Sequence, residues 1–193
     1  MNSPLRTLSL ALALTGFGAT PALAADTFVV DNAHTAVLFF AGHLGFSTTV
    51  GSIRKISGEF ILDATDASKS SIKLDLDVSS LDTNEAKRDE HLRGPDFFNV
   101  KQFPKATFAS KTVVQGKDRT FEVTGDLTIH GVSKVVTIKV KQNARGQDPW
   151  GGTRSGFDGE LMINRSDFGI SGMTGGIPNE VKLWLSVEGL LKK

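Results

Sequence analysis

The sequence predicts an all-β protein built from about eight antiparallel strands, arranged as a closed barrel or as a sandwich. Three observations carry this prediction. Apolar and polar residues alternate with a period of two along most of the chain, which is typical of strands with one buried face. Short clusters rich in glycine and proline separate the alternating runs, as turns do. One segment without alternation is rich in good helix formers.

The predicted strands follow one another with short connections. In order, they span residues 28–41, 52–62, 71–79, 105–114, 121–129, 135–141, 157–164 and 181–188. In the third strand, SIKLDLDVS, Ile72 and Leu74 point to one face, whereas Lys73 and Asp75 point to the other. The later strands repeat this pattern, so that charge lies on the outward face of nearly every strand. A barrel embedded in an outer membrane would need an apolar outward face with aromatic girdles, so we exclude that class.

The segment 84–92 between the third and fourth strands is predicted to form one short helix. It lacks alternation, and Gly94-Pro95 should end the helix because proline cannot continue it. The helix belongs to a charged stretch, KRDEHLRGPDFFN, that we place across one mouth of the barrel. Its charged residues should face water or pair with one another, while Leu92, Phe97 and Phe98 turn inward. A buried charge must be paired, so Arg88 or Asp89 should be structural. Direct contact of this charged stretch with a ligand head group stays open as the alternative.

Residues 1–24 have the pattern of a cleaved signal peptide. Arg6 provides a positive start, LSLALALTGF is a short apolar run, and Ala22-Leu23-Ala24 is a cleavage signal before Ala25. The apolar run is short for a membrane span, although an uncleaved anchor stays as the alternative. We therefore expect export to a periplasm and one mature domain, 25–193. With no cysteine in the chain, this domain must hold together without disulfides.

Charge and motifs exclude several function classes. The chain has 22 Lys and Arg against 21 Asp and Glu, and this balance predicts no nucleic-acid partner. The short matches to catalytic motifs lack their companion sequences and are best explained by chance. We find no catalytic constellation and expect no enzymatic activity and no cofactor.

The inward faces are nearly all apolar, which leaves two interpretations of the interior. An eight-stranded barrel can be filled by its own side chains or can hold one small ligand, which here would have to be apolar. The candidate cavity residues are Phe39, Ile72, Leu74, Leu76, Val78, Phe108, Val123, Leu127, Ile129, Val136, Ile138, Phe157, Leu161, Ile163, Leu183 and Leu185.

If the strands run strictly up and down, alternate connections meet at one mouth of the barrel. This brings together three histidines, the helix segment and the glycine-rich SGMTGGIPN. Three histidines can bind a metal, but no local spacing links any two of them, so we expect a polar rim without metal. The predicted mouth and lid residues are His43, Arg88, His91, Leu92, Phe97, Phe98 and His130.

Four stretches span most of residues 31–188, namely DNAHTAVLFFAGHLGFSTTVG, SSLDTNEAKRDEHLRGPDFFNVKQFPKATFAS, GDLTIHGVSKVVTIKV and NRSDFGI. Together they resemble the YceI family of exported polyisoprenoid-binding proteins. The resemblance implies an eight-stranded antiparallel up-and-down barrel, similar to lipocalins, with no established enzymatic activity. It also implies an internal cavity that holds a long isoprenoid chain, such as a polyprenol or a quinone tail. Phe28 and Phe103 stand where the family often has tyrosine.

We therefore expect a periplasmic protein that binds an isoprenoid lipid for transport, storage or sequestration. Transient membrane contact and a homodimer are left open as further partners. Two other functions also stay open: a metal-dependent or other enzyme at the histidine-bearing mouth, and a stress-related structural protein with a filled barrel.

Overall fold

The computed structural model describes residues 25–193 as one closed antiparallel barrel; the predicted signal peptide, 1–24, lies outside the described residues. The strands are β1 (Asp26–Val30), β2 (Ala36–His43), β3 (Ser47–Leu62), β4 (Ser71–Asp82), β5 (Lys105–Gln115), β6 (Thr120–Ile129), β7 (Val132–Gln147), β8 (Thr153–Asn164) and β9 (Glu180–Leu191). The helix is α1 (Ala86–Arg93), and short 3₁₀ turns span Asn32–His34, Ala67–Lys69 and Arg165–Phe168.

The barrel has eight strand positions, because β1 and β2 share one of them. Both strands pair with β3 on one side, as Phe28 does with Phe60, and both pair with β9 on the other, as Phe28 does with Leu191. From β3 onward, each strand pairs with the next along the chain. The predicted eight-stranded up-and-down barrel is thus confirmed.

The first predicted strand, 28–41, is interrupted where the chain makes a 3₁₀ turn between β1 and β2. The Asp31 carboxylate caps this turn by accepting the Ala33 amide. The neighbouring strand keeps its hydrogen bonds by other means, because the Asn32 side-chain oxygen accepts the amide of Ile56 at 2.6 Å. The Ile56 amide, which an uninterrupted strand would have bonded through its backbone, is therefore satisfied by a side chain.

Helix α1 lies between the third and fourth barrel positions, as predicted. The Glu85 side chain accepts the Lys87 amide at its start, and the Gly94 amide donates to the His91 carbonyl at its end. Pro95 follows and prevents the helix from continuing. None of the helices in residues 25–193 is long and apolar enough to cross a membrane.

The alternate connections divide the barrel into two ends. The helix mouth, as we call it, carries the connections 44–46, 83–104, 130–131 and 165–179; the far mouth carries 63–70, 116–119 and 148–152. Buried apolar side chains from every part of the wall point into the barrel between these two ends. The helix mouth therefore gathers the segments in which the sequence analysis placed the histidines and the lid.

Candidate functional site

The barrel interior holds two apolar chambers along its axis. The larger one, of about 230 Å³, lies under the helix mouth and reaches Gly42, His43, Leu92 and Ile177. The smaller one, of about 90 Å³, lies toward the far mouth and reaches Leu62, Ser70 and Ser71. Both are bounded by Leu74, Ile138 and Leu185, which we call the waist. A chain threaded through the waist would contact both chambers.

The predicted cavity residues, except Val136, line one or both chambers. Val136 is half-buried, packs against the core, and lines neither chamber. It pairs with Gly125, and the Phe108 ring crosses in front of that glycine, with Cζ 2.8 Å from the position a Cβ would take. Val136 therefore packs against the core beside Gly125 and is not part of the lining of either chamber.

The sequence analysis missed a second set of lining residues. Some of them were visible on inward faces but were not selected, namely Phe121, Val140, Val181 and Val187. Others lie on the first two predicted strands, where apolar residues occupy both faces and the period of two is less clear. These are Val37, Ile53, Phe60, Ile61 and Leu62. A period of two identifies a residue that faces the barrel interior only when the residues next to it in the sequence, which face outward, are polar.

The connection after β4 folds across the helix mouth and covers the larger chamber. Leu92, Phe97 and Phe98 line this chamber, which is where the sequence analysis aimed them. Phe97 is only 3% exposed, whereas Phe98 is half-buried and tilts against Phe39, with ring centroids 6.5 Å apart. Phe97 is therefore part of the core, whereas Phe98 is the more exposed of the two rings that border the chamber.

The charges of this connection anchor it to the end of β4. The buried Asp89 carboxylate accepts the amide of Thr83 at 2.8 Å and its hydroxyl at 2.5 Å. Arg88 donates to the Thr83 hydroxyl and carbonyl, both at 2.8 Å. Arg93 donates to the carbonyls of Ser79 and Leu81. These bonds are structural, and the exposed Arg88 also reaches the chamber wall.

The three predicted mouth histidines lie at the helix mouth but apart from one another. His43 lines the larger chamber, whereas His91 stands outside it, edge-on to Phe97, with Nε2 3.6 Å from the Asp96 carboxylate. His130 packs edge-on against Phe103 at 4.5 Å, and its Nδ1 lies 3.3 Å from the Phe168 carbonyl. His91 and His130 therefore do not line the chamber. Within residues 25–193, the three histidines form no group close enough to share one ion.

Phe28 and Phe103 are both held by ring packing. Phe28 is completely buried and stacks on Phe60 with centroids 5.0 Å apart. Phe103 lies against His130 and also covers Gly131, where it leaves no room for a Cβ. Neither ring needs a hydroxyl partner in these surroundings.

Arg165 is a buried cation at the helix mouth that the sequence analysis did not single out. It is 6% exposed and donates to four carbonyls, those of Pro178, Ile170, Gly172 and Ile177, at 2.7–3.2 Å. Burial lowers the pKa of its guanidinium from the ordinary value. The side chain ties together the ends of the loop 165–179, which borders the larger chamber. Alternation could not reveal it, because it lies in a 3₁₀ turn.

A separate ionic cluster lies on the outer wall beside the break between β1 and β2. Asp31, His34 and Glu188 bring three potential ligand atoms within 4.8 Å of one another. However, the Arg154 guanidinium already contacts Asp31 at 2.7 Å and Glu188 at 2.5 Å. The Arg154 hydrogen bond, helped by His34, lowers the pKa of Asp31 to about 2. An arginine thus supplies the positive charge that a metal ion would bring.

Comparison with known proteins places the geometry in a family. Residues 28–189 match the YceI-like domain. A UPF0312 protein of Azotobacter vinelandii is 41% identical over 192 residues, covering 98% of each chain. One from Pseudomonas aeruginosa is 42% identical over 183 residues, covering 94% of this chain and 95% of its own.

Solved structures share the fold. BcnA of Burkholderia cenocepacia is 28% identical, with a TM-score of 0.76 over 82% of this chain and 98% of its own. The YceI protein of Campylobacter jejuni is 25% identical, with a TM-score of 0.71 over 98% and 100% of the two chains. A polyisoprenoid binding domain from Saccharophagus degradans, implicated in plant cell wall breakdown, is 16% identical with a TM-score of 0.66, over 86% and 98%.

Proposed function

Since the chain belongs to the YceI-like family, we propose that it is a binding protein that holds a long isoprenoid lipid inside its barrel. The observation that carries the proposal is the pair of apolar chambers that share Leu74, Ile138 and Leu185 as walls. Together with the waist, they offer an elongated interior suited to one extended hydrocarbon chain rather than to a compact ligand. The polyisoprenoid binding domain of Saccharophagus degradans has the same fold, which supports the proposal.

The polarity of the chamber walls supports a ligand with an apolar tail and a polar head left at the helix mouth. Among the described residues, the ionisable side chains that border the larger chamber are His43, Arg88 and Arg165, all at this mouth. The smaller chamber is bordered by no ionisable side chain in residues 25–193. A charged head group deep in the barrel would lack partners, at a cost of several kcal/mol.

The volume of the chambers sets the expected scale of binding. Empty space inside a protein costs about 24 cal/mol per Å³. Filling the chamber of about 230 Å³ would therefore contribute about 5.5 kcal/mol. Filling the one of about 90 Å³ would add about 2 kcal/mol. A chain that reaches both chambers should bind more tightly than one that stops at the waist.

We further propose that the protein works in the periplasm, after removal of residues 1–24. The support is the signal-peptide pattern at the start of the sequence. The lipid would then be carried, stored or sequestered outside the cytoplasm.

Native mass spectrometry of protein isolated from the export compartment tests the proposal. We expect a bound ligand that fragments as a prenyl lipid. We also expect the protein to have the mass of residues 25–193, as cleavage before Ala25 would give. Leu76→Glu places a charge inside the larger chamber and should remove the lipid mass, whereas Lys73→Glu on the exposed face of the same strand should retain it. A folded Leu76→Glu protein with the parent lipid load would overturn the cavity assignment.

A further inference from the structure

Two segments at the helix mouth differ from the rest of the surface in carrying no charge. Residues 42–53 and 168–179 contain no Asp, Glu, Lys or Arg, in a chain where these make up 22% of residues. Both segments belong to connections at this end and to the strand ends beside them. We call these two segments the rim. Its composition is unusual for loops exposed to water, which normally carry charge.

The two rim segments touch each other and border the larger chamber. The Leu44 amide donates to the Gly176 carbonyl at 2.9 Å, so the turn after β2 is tied to the loop before β9. His43 and Thr49 of one segment and Ile177 of the other line the chamber. The rim is therefore one continuous edge of the opening through which a ligand would pass.

The tips of the rim present large apolar side chains to solvent. Phe46 is 87% exposed, Met173 is 59% exposed and Leu44 is 56% exposed. Leu44 and Met173 have positive φ angles of 49° and 53°, which places them in tight turns. The three side chains project from two neighbouring turns rather than forming a flat face. Exposed apolar groups clustered around a cavity mouth mark an interaction site.

Cations stand on the other side of the same mouth. Arg88 and Arg93 of the helix segment donate to neutral oxygens of Thr83, Ser79 and Leu81. Neither arginine forms a salt bridge with a carboxylate within residues 25–193. The same segment also carries the exposed acids Glu85, Glu90 and Asp96, so its charge is mixed. Apolar tips around the opening of an apolar chamber match the surface of a phospholipid bilayer, which offers hydrocarbon beneath its head groups.

We propose that the rim docks on a phospholipid bilayer, with Leu44, Phe46 and Met173 inserted at its surface and the helix mouth facing the lipid. A prenyl chain could then move between bilayer and chamber without crossing water; this step rests on the proposed function, whereas docking does not. A second copy of the chain is the less suitable occupant. A stable homodimer buries more than about 1,000 Å², and three loop-tip side chains present far less apolar surface than that.

Flotation with vesicles of phosphatidylethanolamine and phosphatidylglycerol, free of prenyl lipids, tests docking directly. The naturally processed protein should float with the vesicles. Phe46→Ser combined with Met173→Ser should weaken partitioning by about tenfold or more, because each buried apolar side chain contributes about 1.5–3 kcal/mol. Trp150→Ser is the matched control, since Trp150 is 84% exposed but lies at the far mouth; it should float like the parent.

Tryptophan fluorescence shows which mouth of the barrel faces the vesicle. The chain has two tryptophans and no tyrosine, so single reporters are simple to build. Phe46→Trp, combined with Trp150→Phe and Trp184→Phe, places the reporter on the rim; Trp184→Phe alone leaves it at the far mouth. Vesicles with brominated acyl chains should quench the rim reporter and leave the far-mouth reporter bright.

Several results would overturn docking: a parent that does not float, a rim variant that floats equally well, or quenching at the far mouth. A concentration-dependent dimer that the rim substitutions abolish would assign the rim to a second copy instead. The two proposals fail separately. A protein that floats but binds no prenyl lipid refutes the proposed function alone, and one that binds prenyl lipid but does not float refutes docking alone.

Discussion

Blocking the smaller chamber should convert a protein that prefers long prenyl chains into one that does not. Val140 lines this chamber, is half-buried and lies on β7 beyond the waist. Val140→Phe would place a ring in the space of about 90 Å³. At about 24 cal/mol per Å³, a long chain would lose at most about 2 kcal/mol of binding free energy, which is roughly thirtyfold in affinity. A short prenyl chain that stops at the waist should bind the Val140→Phe protein with nearly the parent affinity.

Val136→Phe is the matched control, because it makes the same change on the same face of the same strand. Val136 is also half-buried, but it lines neither chamber. The assay is displacement of a fluorescent prenyl analogue by prenols of increasing length, with chemical denaturation to confirm folding. The reasoning fails if Val140→Phe keeps the parent preference for long chains, or if Val136→Phe loses that preference to the same degree.

Three further predictions follow from the lid and the outer wall. Phe98→Ala should speed transfer of a prenyl analogue to acceptor vesicles, while Phe97→Ala should chiefly destabilise the fold, by about 3–5 kcal/mol, because Phe97 is core; similar transfer rates for both would contradict a lid role for Phe98. Asp31 has a lowered pKa, so its ion pairs stabilise the fold above about pH 4 and are lost as pH falls toward 2; Asp31→Asn should cost about 1–2 kcal/mol at neutral pH, allowing for solvent screening, and should flatten acid unfolding. EDTA should leave the melting temperature unchanged, because Arg154 already fills the cluster of Asp31 and Glu188; a fall of several degrees would support a metal.

The strands that the sequence predicted well are those with one apolar and one charged face. In β4, Leu74, Leu76 and Val78 line the chambers while Lys73 points outward, as the period of two requires. The interruption between β1 and β2 was missed, although the polar run DNAHT at residues 31–35 separates two apolar runs there. Asn32 satisfies the Ile56 amide there, and such a contact becomes visible only when the strands are placed side by side.

The candidate site was predictable in composition but not in shape. The selected inward-facing residues line the chambers with the exception of Val136, but a second set of wall residues was missed. The waist could not be predicted, because it depends on how Leu74, Ile138 and Leu185 meet across the barrel. Arg165 was missed for a different reason. Its four carbonyl partners lie in an irregular loop, so no periodic signal marks the residue as buried.

The closure of the barrel by the two ends of the chain has a consequence for the order of folding. Phe28 pairs with Leu191, and Val30 pairs with Gly189, so the final ladder joins residues from opposite ends of the described chain. Such pairings make folding slow, because the loop that they close is nearly as long as the domain. While the domain folds, each partly formed sheet therefore has two unpaired edges, which are open to aggregation until β9 pairs. A chaperone that shields these edges would act before β9 pairs, and truncating β9 should cause aggregation even though most of the chamber wall is already present.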